Sequence, residues 1–252
     1  MEMKDTCAVI TGGASGLGEA TARVFAASGA KVTLLDRDST RGAAIATELG
    51  GTFVETDVTD EASVQAALAT ARDAMGGLNA AVNCAGIAIA ETVLKKDGGL
   101  HSLESYRKVI DVNLVGTFNV ARLAADAMKD NPPAPDGNRG VIINTASIAA
   151  FDGQRGQTAY ASSKGGVVGL TLPMARDLAR SGIRVMAIAP GIFMTPMLAG
   201  LPQEAQDSLA ASVTNPKRLG DPSEYGRLAK FIVECGYLNG ETIRIDGALR
   251  MM

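Results

Sequence analysis

The sequence has few of the residues that build several common kinds of site. Its 252 residues include one histidine, three cysteines and no tryptophan. A single histidine, His101, excludes most Ser-His-Asp and zinc arrangements, and Cys7, Cys84 and Cys235 lie far apart without metal-ligand spacing. We therefore expect no metal, and reduced thiols as in a cytosol-like compartment. His101 lies in the Gly-rich, polar stretch "KKDGGLHSLES", where we expect a solvated loop residue rather than a base.

Excess charge and long apolar runs are also lacking. The formal net charge is −3, and no run of basic residues is present, so a nucleic-acid partner is disfavoured. No apolar run approaches the roughly 18–20 residues that span a bilayer, and the first residues do not read as a signal peptide. We expect a soluble cytoplasmic protein that acts on a small molecule, with no membrane partner.

Short apolar runs alternate with longer Ala-rich segments of helical character. Such alternation implies βαβ crossovers, and the continuous Val/Ile-rich runs are typical of buried parallel strands. We predict an α/β fold, a doubly wound Rossmann-type parallel sheet of about seven strands with helices on both faces, in a single domain over 1–252. The predicted strands are "CAVIT", "KVTLLD", "TFVETDV", "NAAVNCAG", "GVIINTAS", "IRVMAIAP" and "TIRID", and the predicted helices lie near 16–28, 39–49, 60–75, 103–130, 157–180 and 221–235.

A glycine-rich loop follows the first predicted strand. In "VITGGASGLGEA", Gly12, Gly16 and Gly18 allow a tight turn and close approach of a pyrophosphate to a helix N-terminus. Asp36, near the end of the second strand, can accept the two ribose hydroxyls of an adenosine and would repel a 2′-phosphate. Arg37 could instead favour that phosphate, but the loop "GGASGLG" offers no basic residue. The pattern predicts a dinucleotide site that takes NAD rather than NADP.

Tyr160 and Lys164 lie four residues apart in "QTAYASSKGG", which places them on one face of a helix. Alcohol oxidation needs a base, and a free tyrosine, with a pKa of about 10, is a poor one near neutrality. A neighbouring ammonium favours the phenolate, and the positive nicotinamide ring adds to this. We interpret Tyr160 as the base and Lys164 as the group that lowers its pKa and holds the nicotinamide ribose.

Ser147 follows the strand "GVIINTAS", at the sheet edge where doubly wound folds bind ligands. A hydroxyl there can hold the substrate oxygen and stabilise the developing alkoxide. Ser162 and Ser163 are rivals by composition, but they belong to the helix and match no catalytic position.

Seven ordered segments together resemble the short-chain dehydrogenase/reductase family over essentially the whole chain. They are "TGGASGLG" (11–18), "DV" (57–58), "NCAG" (83–86), Asn113 in "DVNLVG", Ser147 in "NTASIA", "YASSK" (160–164) and "PG" (190–191). The resemblance implies a catalytic set of Asn113, Ser147, Tyr160 and Lys164, in which Asn113 holds a water that relays protons to Lys164. Cys84 replaces the asparagine usual in the family, at a position that we expect to contribute backbone.

The resemblance also extends the cofactor site beyond the glycine loop. Asp57 and Val58 match the pair that grips adenine, and Phe193 and Thr195 match the segment that covers the nicotinamide. The predicted cofactor-binding residues are Gly12, Ser15, Gly16, Leu17, Gly18, Asp36, Asp57, Val58, Asn83, Cys84, Ala85, Gly86, Tyr160, Lys164, Pro190, Gly191, Phe193 and Thr195.

Longer stretches narrow the resemblance to the type II 3-hydroxyacyl-CoA dehydrogenase branch. They include "IRVMAIAPGIFMTPML" and "LNGETIRIDGALRM". This branch oxidises the 3-hydroxyl of acyl-CoA thioesters with NAD, in fatty acid metabolism, and some members accept hydroxysteroids. It implies a homotetramer, formed through the long helices near 103–130 and 157–180 and the C-terminal "GALRMM".

Residues 191–213 are rich in Met, Leu, Ala and Pro, which is typical of a mobile lid over an apolar chain. The predicted substrate contacts are Ser147, Tyr160, Met194, Met197 and Leu201. A packed surface helix is the alternative for this segment.

Other functions remain open from the sequence. A 3-oxoacyl-(acyl-carrier-protein) reductase would usually prefer NADPH, against which Asp36 argues. A hydroxysteroid or other secondary-alcohol dehydrogenase would share the same catalytic residues. A non-catalytic dinucleotide-sensing protein would be expected to lack part of the tetrad, which is intact here.

Overall fold

Seven strands form one parallel sheet in the computed structural model, which describes residues 1–200 and 202–251, without the side chains of Met197 and Ala205. The order is β3-β2-β1-β4-β5-β6-β7, with every neighbouring pair parallel. This confirms the predicted doubly wound fold. The strands are β1 Cys7–Thr11, β2 Lys31–Asp36, β3 Thr52–Glu55, β4 Ala80–Asn83, β5 Gly140–Thr145, β6 Ile183–Pro190 and β7 Thr242–Ile245.

Helices connect the strands and cover both faces of the sheet. A π-helical turn, Asp111–Val115, joins α4 to α5 and makes one continuous rod of them. Short 3-10 turns occur at Met3–Asp5 and Ala179–Ser181. The α-helices are α1 Gly16–Ala27, α2 Ser39–Leu49, α3 Glu61–Met75, α4 Leu103–Ile110, α5 Gly116–Met128, α6 Ala149–Asp152, α7 Thr158–Leu178, α8 Pro196–Ala199, α9 Gln203–Ser212 and α10 Pro222–Glu234.

The core consists of two layers because successive strand residues point to opposite faces. Ile10 of β1 packs with Phe25 of α1 and Tyr225 of α10 on one face. Val9 of the same strand packs with helices α3 and α5 on the other, through residues such as Leu68 and Val120. Each such side chain contributes roughly 1.5–3 kcal/mol by leaving water, so the sheet is a rigid support for the loops at its ends.

The carboxyl ends of the strands meet at one edge of the sheet. Thr11 pairs in register with Asn83, and Asn83 pairs with Asn144, so the loops after β1, β4 and β5 start side by side. The loops after β2 and β6 open at the same edge. This edge therefore gathers the predicted cofactor and catalytic residues. No helix within the described ranges is long and apolar enough to cross a membrane.

Candidate active site

The loop between β1 and α1 has the shape of a phosphate cradle. A Cβ atom on Gly12 would lie 2.9 Å from the Ala85 backbone nitrogen, and one on Gly18 would lie 2.2 Å from the Gly12 carbonyl oxygen. Gly12 and Gly16 also have φ values of 65° and 55°, which only glycine adopts without strain. Ser15, Gly16 and Leu17 line the adjoining cleft at the N-terminus of α1, where an anion is stabilised.

Asp36 closes the far end of this cleft. Its Oδ2 accepts a hydrogen bond from the Ala14 backbone at 3.0 Å, and its Oδ1 accepts one from Asp38 at 3.0 Å. The carboxylate is thus fixed in place, with acceptor capacity left for ribose hydroxyls. Arg37 points its Nε to within 3.9 Å of Asp57 Oδ2, so its charge is directed towards an acid.

The predicted cofactor residues converge on two adjoining cavities. The first has a volume of about 410 Å³ and includes Gly12, Ser15, Gly16, Leu17, Asp36, Asp57, Val58, Cys84, Ala85, Gly86 and Thr195 in its lining. The second, of about 380 Å³, includes Tyr160, Lys164, Pro190, Gly191, Phe193 and Thr195. Gly18 and Asn83 stand behind the lining, in α1 and at the end of β4. The donor set, the cradle and the acid at the end of β2 together fit a dinucleotide.

Tyr160 and Lys164 lie on one face of α7, as the spacing predicts. Lys164 Nζ is 5.7 Å from the centre of the Tyr160 ring and donates a hydrogen bond to the Thr145 carbonyl at 2.7 Å. Burial lowers the pKa of Lys164 to about 8. Burial also raises the pKa of Tyr160, against a hydrogen bond with Ser147 that lowers it. The direction for Tyr160 is opposite to the sequence prediction, because desolvation of the phenolate is the larger effect.

Ser147 is placed by the turn that follows β5. Its Oγ accepts a hydrogen bond from the Ala149 backbone at 3.1 Å. The backbone thus holds the oxygen, and the O–H is the group left for Tyr160 or a substrate oxygen.

Asn113 lies in the π-helical turn and is fully buried. Its Oδ1 accepts from the Ile87 backbone nitrogen at 2.8 Å, and its Nδ2 donates to the Ile87 carbonyl at 2.9 Å. Nδ2 also donates to Ser163 Oγ at 3.0 Å. The side chain therefore clamps the loop after β4 to α7. The sequence predicts one regular helix over 103–130 and misses this wider turn, which is a frequent feature of functional sites.

A buried network behind the site was not found from the sequence. Thr145 Oγ1 donates to the Asn83 carbonyl at 2.6 Å and lies 2.7 Å from Tyr225 Oη. Cys84 Sγ lies 3.8 Å from the same Tyr225 oxygen. Tyr225 comes from α10, far along the chain, and no local pattern sets it apart from an ordinary core residue. Thr145, whose carbonyl oxygen accepts the hydrogen bond from Lys164, is thus held in place by its own side-chain contacts.

The cavity around Tyr160 is mostly apolar. Ile89 and Ile148 line it together with Leu198 of α8 and Met251 of the C-terminal segment. Sequence reasoning missed Ile89, Ile148 and Met251, since isolated apolar residues in loops carry no signal of what they face. An apolar chain beside the reacting centre would be well accommodated here.

The predicted substrate residues of the lid segment have different outcomes. Met194 is 39% exposed and lines a separate surface cavity with parts of α9 and α10, so the structure does not bring it to Tyr160. Met197 and Leu201 were also predicted to contact substrate, but the Met197 side chain and the whole of Leu201 lie outside the described residues. Leu198, from the same segment, lines the cavity around Tyr160.

The first residues of the predicted lid segment contact both Gly220 and the glycine loop. Phe193 pairs with Gly220 as an isolated parallel bridge, in which the Met194 N–H donates to the Gly220 carbonyl at 2.8 Å. The methyl group of Thr195 lies 3.5 Å from the position of a Cβ on Gly16, so the start of the lid reaches the glycine loop. Helices α8 and α9 lie between Thr195 and Gly220 in the sequence.

The environment of His101 differs from the prediction. Its side chain is only 10% exposed, and its Nε2 lies 3.8 Å from Glu91 Oε2. Its ring meets Tyr106 edge-on at 6.1 Å. The loop folds back on itself through an antiparallel bridge between Leu94 and Leu100. The prediction of a solvated histidine was wrong because this long loop packs on its own side chains.

A family model described as short chain dehydrogenase matches residues 6–206 of the sequence. The chain belongs to the short-chain dehydrogenase family. This dehydrogenase is 56% identical over 252 residues to a human protein named 3-hydroxyacyl-CoA dehydrogenase type-2, a match that covers 99% of this chain and 97% of that protein. A Drosophila melanogaster protein of the same name is 55% identical over 253 residues, with 99% of both chains covered.

The fold of this dehydrogenase also matches a solved structure. A crystal structure of 3-hydroxyacyl-CoA dehydrogenase type-2 from Mycobacterium avium aligns with a TM-score of 0.94 at 44% identity, covering 98% of this chain and 96% of that chain. The resemblance inferred from the motifs is confirmed. The short-chain dehydrogenase described here is an oxidoreductase that uses a nicotinamide dinucleotide and acts on a small-molecule substrate.

Proposed function

We propose that this enzyme interconverts a 3-hydroxyacyl-CoA and the corresponding 3-oxoacyl-CoA, with NAD as its cofactor. The observation that carries the proposal is the position of Ser147, Tyr160 and Lys164 in the wall of a mostly apolar cavity of about 380 Å³. Relatives of more than half identical sequence carry the name 3-hydroxyacyl-CoA dehydrogenase type-2, which supports the substrate class.

Each catalytic side chain has one task in the oxidation direction. Ser147, whose oxygen is held by the Ala149 N–H, donates its own O–H to the substrate oxygen. Tyr160 accepts the proton of the substrate 3-hydroxyl in its phenolate form, which burial disfavours and which the hydrogen bond from Ser147 and the charge of Lys164 favour. The hydride that leaves C3 is accepted by the nicotinamide when the cofactor is bound. In the reverse direction, Tyr160 returns the proton to the 3-oxo oxygen.

Lys164 keeps a positive charge beside the base. Its Nζ lies 5.7 Å from the centre of the Tyr160 ring, so its positive charge is close enough to the ring to favour the phenolate over the neutral phenol. Because burial lowers the pKa of Lys164 to about 8, the lysine is itself able to exchange a proton near neutral pH. In the proposed mechanism Tyr160 returns to the phenolate when its proton passes to the neutral form of Lys164, and the ammonium so formed releases the proton to solvent near the loop that Asn113 and Ile87 hold.

The choice of NAD rests on Asp36. Its carboxylate is fixed by two backbone N–H groups and faces the cleft where a ribose would lie. A 2′-phosphate there would meet a negative charge, while Arg37 is directed towards Asp57.

The proposed assembly is a homotetramer built through helices. Val115 and Phe118, at the junction of α4 and α5, and Leu172 on α7 are 48%, 47% and 43% exposed. Apolar side chains exposed on neighbouring helices mark surfaces for association. The cytoplasmic location predicted from the sequence stays a prediction.

The first test compares the wild type with Tyr160→Phe. This change keeps the buried ring and removes only the hydroxyl, so the fold and NADH binding should persist while turnover of a short 3-hydroxyacyl-CoA falls by about 10²–10⁴. Tyr237→Phe, at a fully exposed tyrosine, is the matched control and should be neutral. A Tyr160→Phe enzyme that keeps a tenth of wild-type turnover would refute the base.

The same assays decide the substrate and cofactor. Wild-type kcat/KM should be higher with NAD than with NADP, and higher with 3-hydroxyacyl-CoAs than with a hydroxysteroid or a simple secondary alcohol. Equal use of NADP contradicts the reading of Asp36. Robust oxidation of a steroid or alcohol with no acyl-CoA activity would remove the substrate assignment and leave the dehydrogenase.

A further inference from the structure

Ser163 lies between Tyr160 and Lys164 in the sequence, and its hydroxyl lies between Tyr160 and Asn113 in the structure. It precedes Lys164 on α7 and is fully buried. Its Oγ donates to the Tyr160 carbonyl at 2.7 Å and accepts from Asn113 Nδ2 at 3.0 Å. The hydroxyl thus joins the turn that carries Tyr160 and Lys164 to the π-helical turn that carries Asn113.

The direction of these bonds fixes the Asn113 amide. Because the Ser163 hydrogen is given to the Tyr160 carbonyl, its oxygen offers only lone pairs to Asn113. The NH₂ group must face Ser163, and its second hydrogen is given to the Ile87 carbonyl. Oδ1 must then face the other way, where it accepts from the Ile87 N–H. Both hydrogens of the amide are therefore committed, and one acceptor position on Oδ1 remains.

The Asn113 amide oxygen lies near the ammonium of Lys164. A Cβ placed on Gly86 would lie 3.2 Å from Asn113 Oδ1 and 3.6 Å from Lys164 Nζ. The amide oxygen and the ammonium therefore flank the same small residue of the cofactor cleft. A flip of the Asn113 amide would put its N–H groups beside the ammonium and break all three hydrogen bonds.

We propose that Ser163 is a positioning residue that acts through Asn113, holding its amide oxygen towards Lys164 and the loop of Ile87 against α7. The proposal rests on the catalytic roles of Tyr160 and Lys164 proposed above. Ser163 touches neither the cofactor cleft nor the substrate cavity among their described lining residues. It should therefore affect turnover more than the binding of either ligand.

The test compares Ser163→Ala with Ser162→Ala. The two serines are neighbours on α7, but Ser162 is exposed, so its change controls for the loss of a serine from this helix. Ser163→Ala should lower kcat for acetoacetyl-CoA reduction at least tenfold, while KM and the Kd for NADH change less than threefold. Ser162→Ala should stay within twofold of the wild type in all three quantities.

A double-mutant cycle separates positioning from general support. If Ser163 acts through Asn113, its loss adds nothing once Asn113 is gone. The kcat of Asn113→Ala/Ser163→Ala should then equal that of Asn113→Ala within twofold. Should Ser163→Ala fail to fold, Ser163→Cys keeps the volume, replaces the hydroxyl by a weak donor and acceptor, and serves in the same cycle.

Two outcomes would overturn the proposal. One is a Ser163→Ala kcat within twofold of the wild type, and the other is losses that multiply fully in the double variant. If Tyr160→Phe is still inactive, either result refutes the positioning role of Ser163 without contradicting the proposed function. Retained turnover by Tyr160→Phe would instead refute the proposed base, and a wild type inactive on acyl-CoAs would move the comparison to the alcohol that it does oxidise.

Discussion

Lys164 is a buried lysine whose proposed function has a cost in stability. Its side chain is 4% exposed, and its ammonium donates to a carbonyl oxygen, that of Thr145. Burial of the charge lowers its pKa from 10.5 to about 8. A shift of this size corresponds to a cost of about 3 kcal/mol in the folded state whenever the lysine is protonated. In the proposed mechanism, this cost accompanies a proton-exchanging group beside Tyr160.

The pH dependence of stability should show that cost. The unfolded chain binds the Lys164 proton up to about pH 10.5, whereas the folded chain releases it near pH 8, so the penalty is complete below pH 8 and disappears as the pH rises through 10.5. Lys164→Met should therefore be more stable than the wild type at pH 7, by up to about 3 kcal/mol. The gain should shrink towards pH 10. Denaturant unfolding of both proteins across this range measures it, and a pH-independent difference would contradict the pKa shift.

Sequence reasoning at this scale reaches the residues whose chemistry leaves a local pattern. Tyr160, Lys164 and Ser147 could be predicted as a catalytic set because their spacing and their place at strand ends point to one reaction, and the structure brings them to one cavity. The contacts of Ser163 with Asn113 and of Tyr225 with Thr145 could not be predicted, because the partners lie far away in the chain. A serine on a helix looks the same in sequence whether it faces solvent or Asn113.

At the scale of elements, the helix and strand bounds were predicted closely, since the apolar periods and the glycine ends are local. Helix α2 was predicted at 39–49 and observed at Ser39–Leu49, with Gly50 left-handed at its end. The π-helical turn could not be predicted, because it depends on how Asn113 and its neighbours pack on α7 and the loop after β4. For residues 191–213 the sequence left a mobile lid and a packed surface helix open, and the structure places the helices α8 and α9 there.

If the proposed function holds, helix α8 should set the preference for acyl chain length. Leu198 of α8 faces the substrate cavity, so Leu198→Ala should lower kcat/KM more for medium acyl chains than for short ones, since each buried methylene contributes about 0.8 kcal/mol. NAD affinity should hardly change. Steady-state assays over a series of 3-hydroxyacyl-CoAs measure this effect.

Met194→Ala is the matched control for that series. Met194 begins the same segment but is 39% exposed and lines another cavity. Its change should leave the chain-length profile as in the wild type. If Leu198→Ala lowers kcat/KM equally at every chain length, or if both variants have the same profile, α8 does not contact the acyl chain.

At the scale of the whole molecule, the exposed apolar residues of α5 and α7 predict the surface of association. Phe118→Glu introduces a charge where the homotetramer would bury an aromatic ring, so the mass in solution should fall to that of a dimer or monomer. Ala69→Glu, on the exposed face of α3, adds the same charge elsewhere and should leave the mass unchanged. Sedimentation velocity of the three proteins is the measurement. An unaltered mass for Phe118→Glu would exclude this face.

The order of the strands also affects how readily copies of the protein can aggregate through the edges of their sheets. The sheet ends in β3 and β7, and each of these edge strands has only four residues, whereas the inner β6 has eight. An edge this short gives another chain few backbone groups to pair with, and the exposed charge of Glu55 at the end of β3 shortens the usable ladder further. The short edges thus give little support to edge-to-edge aggregation, and leave the proposed association of native copies to the exposed helix faces.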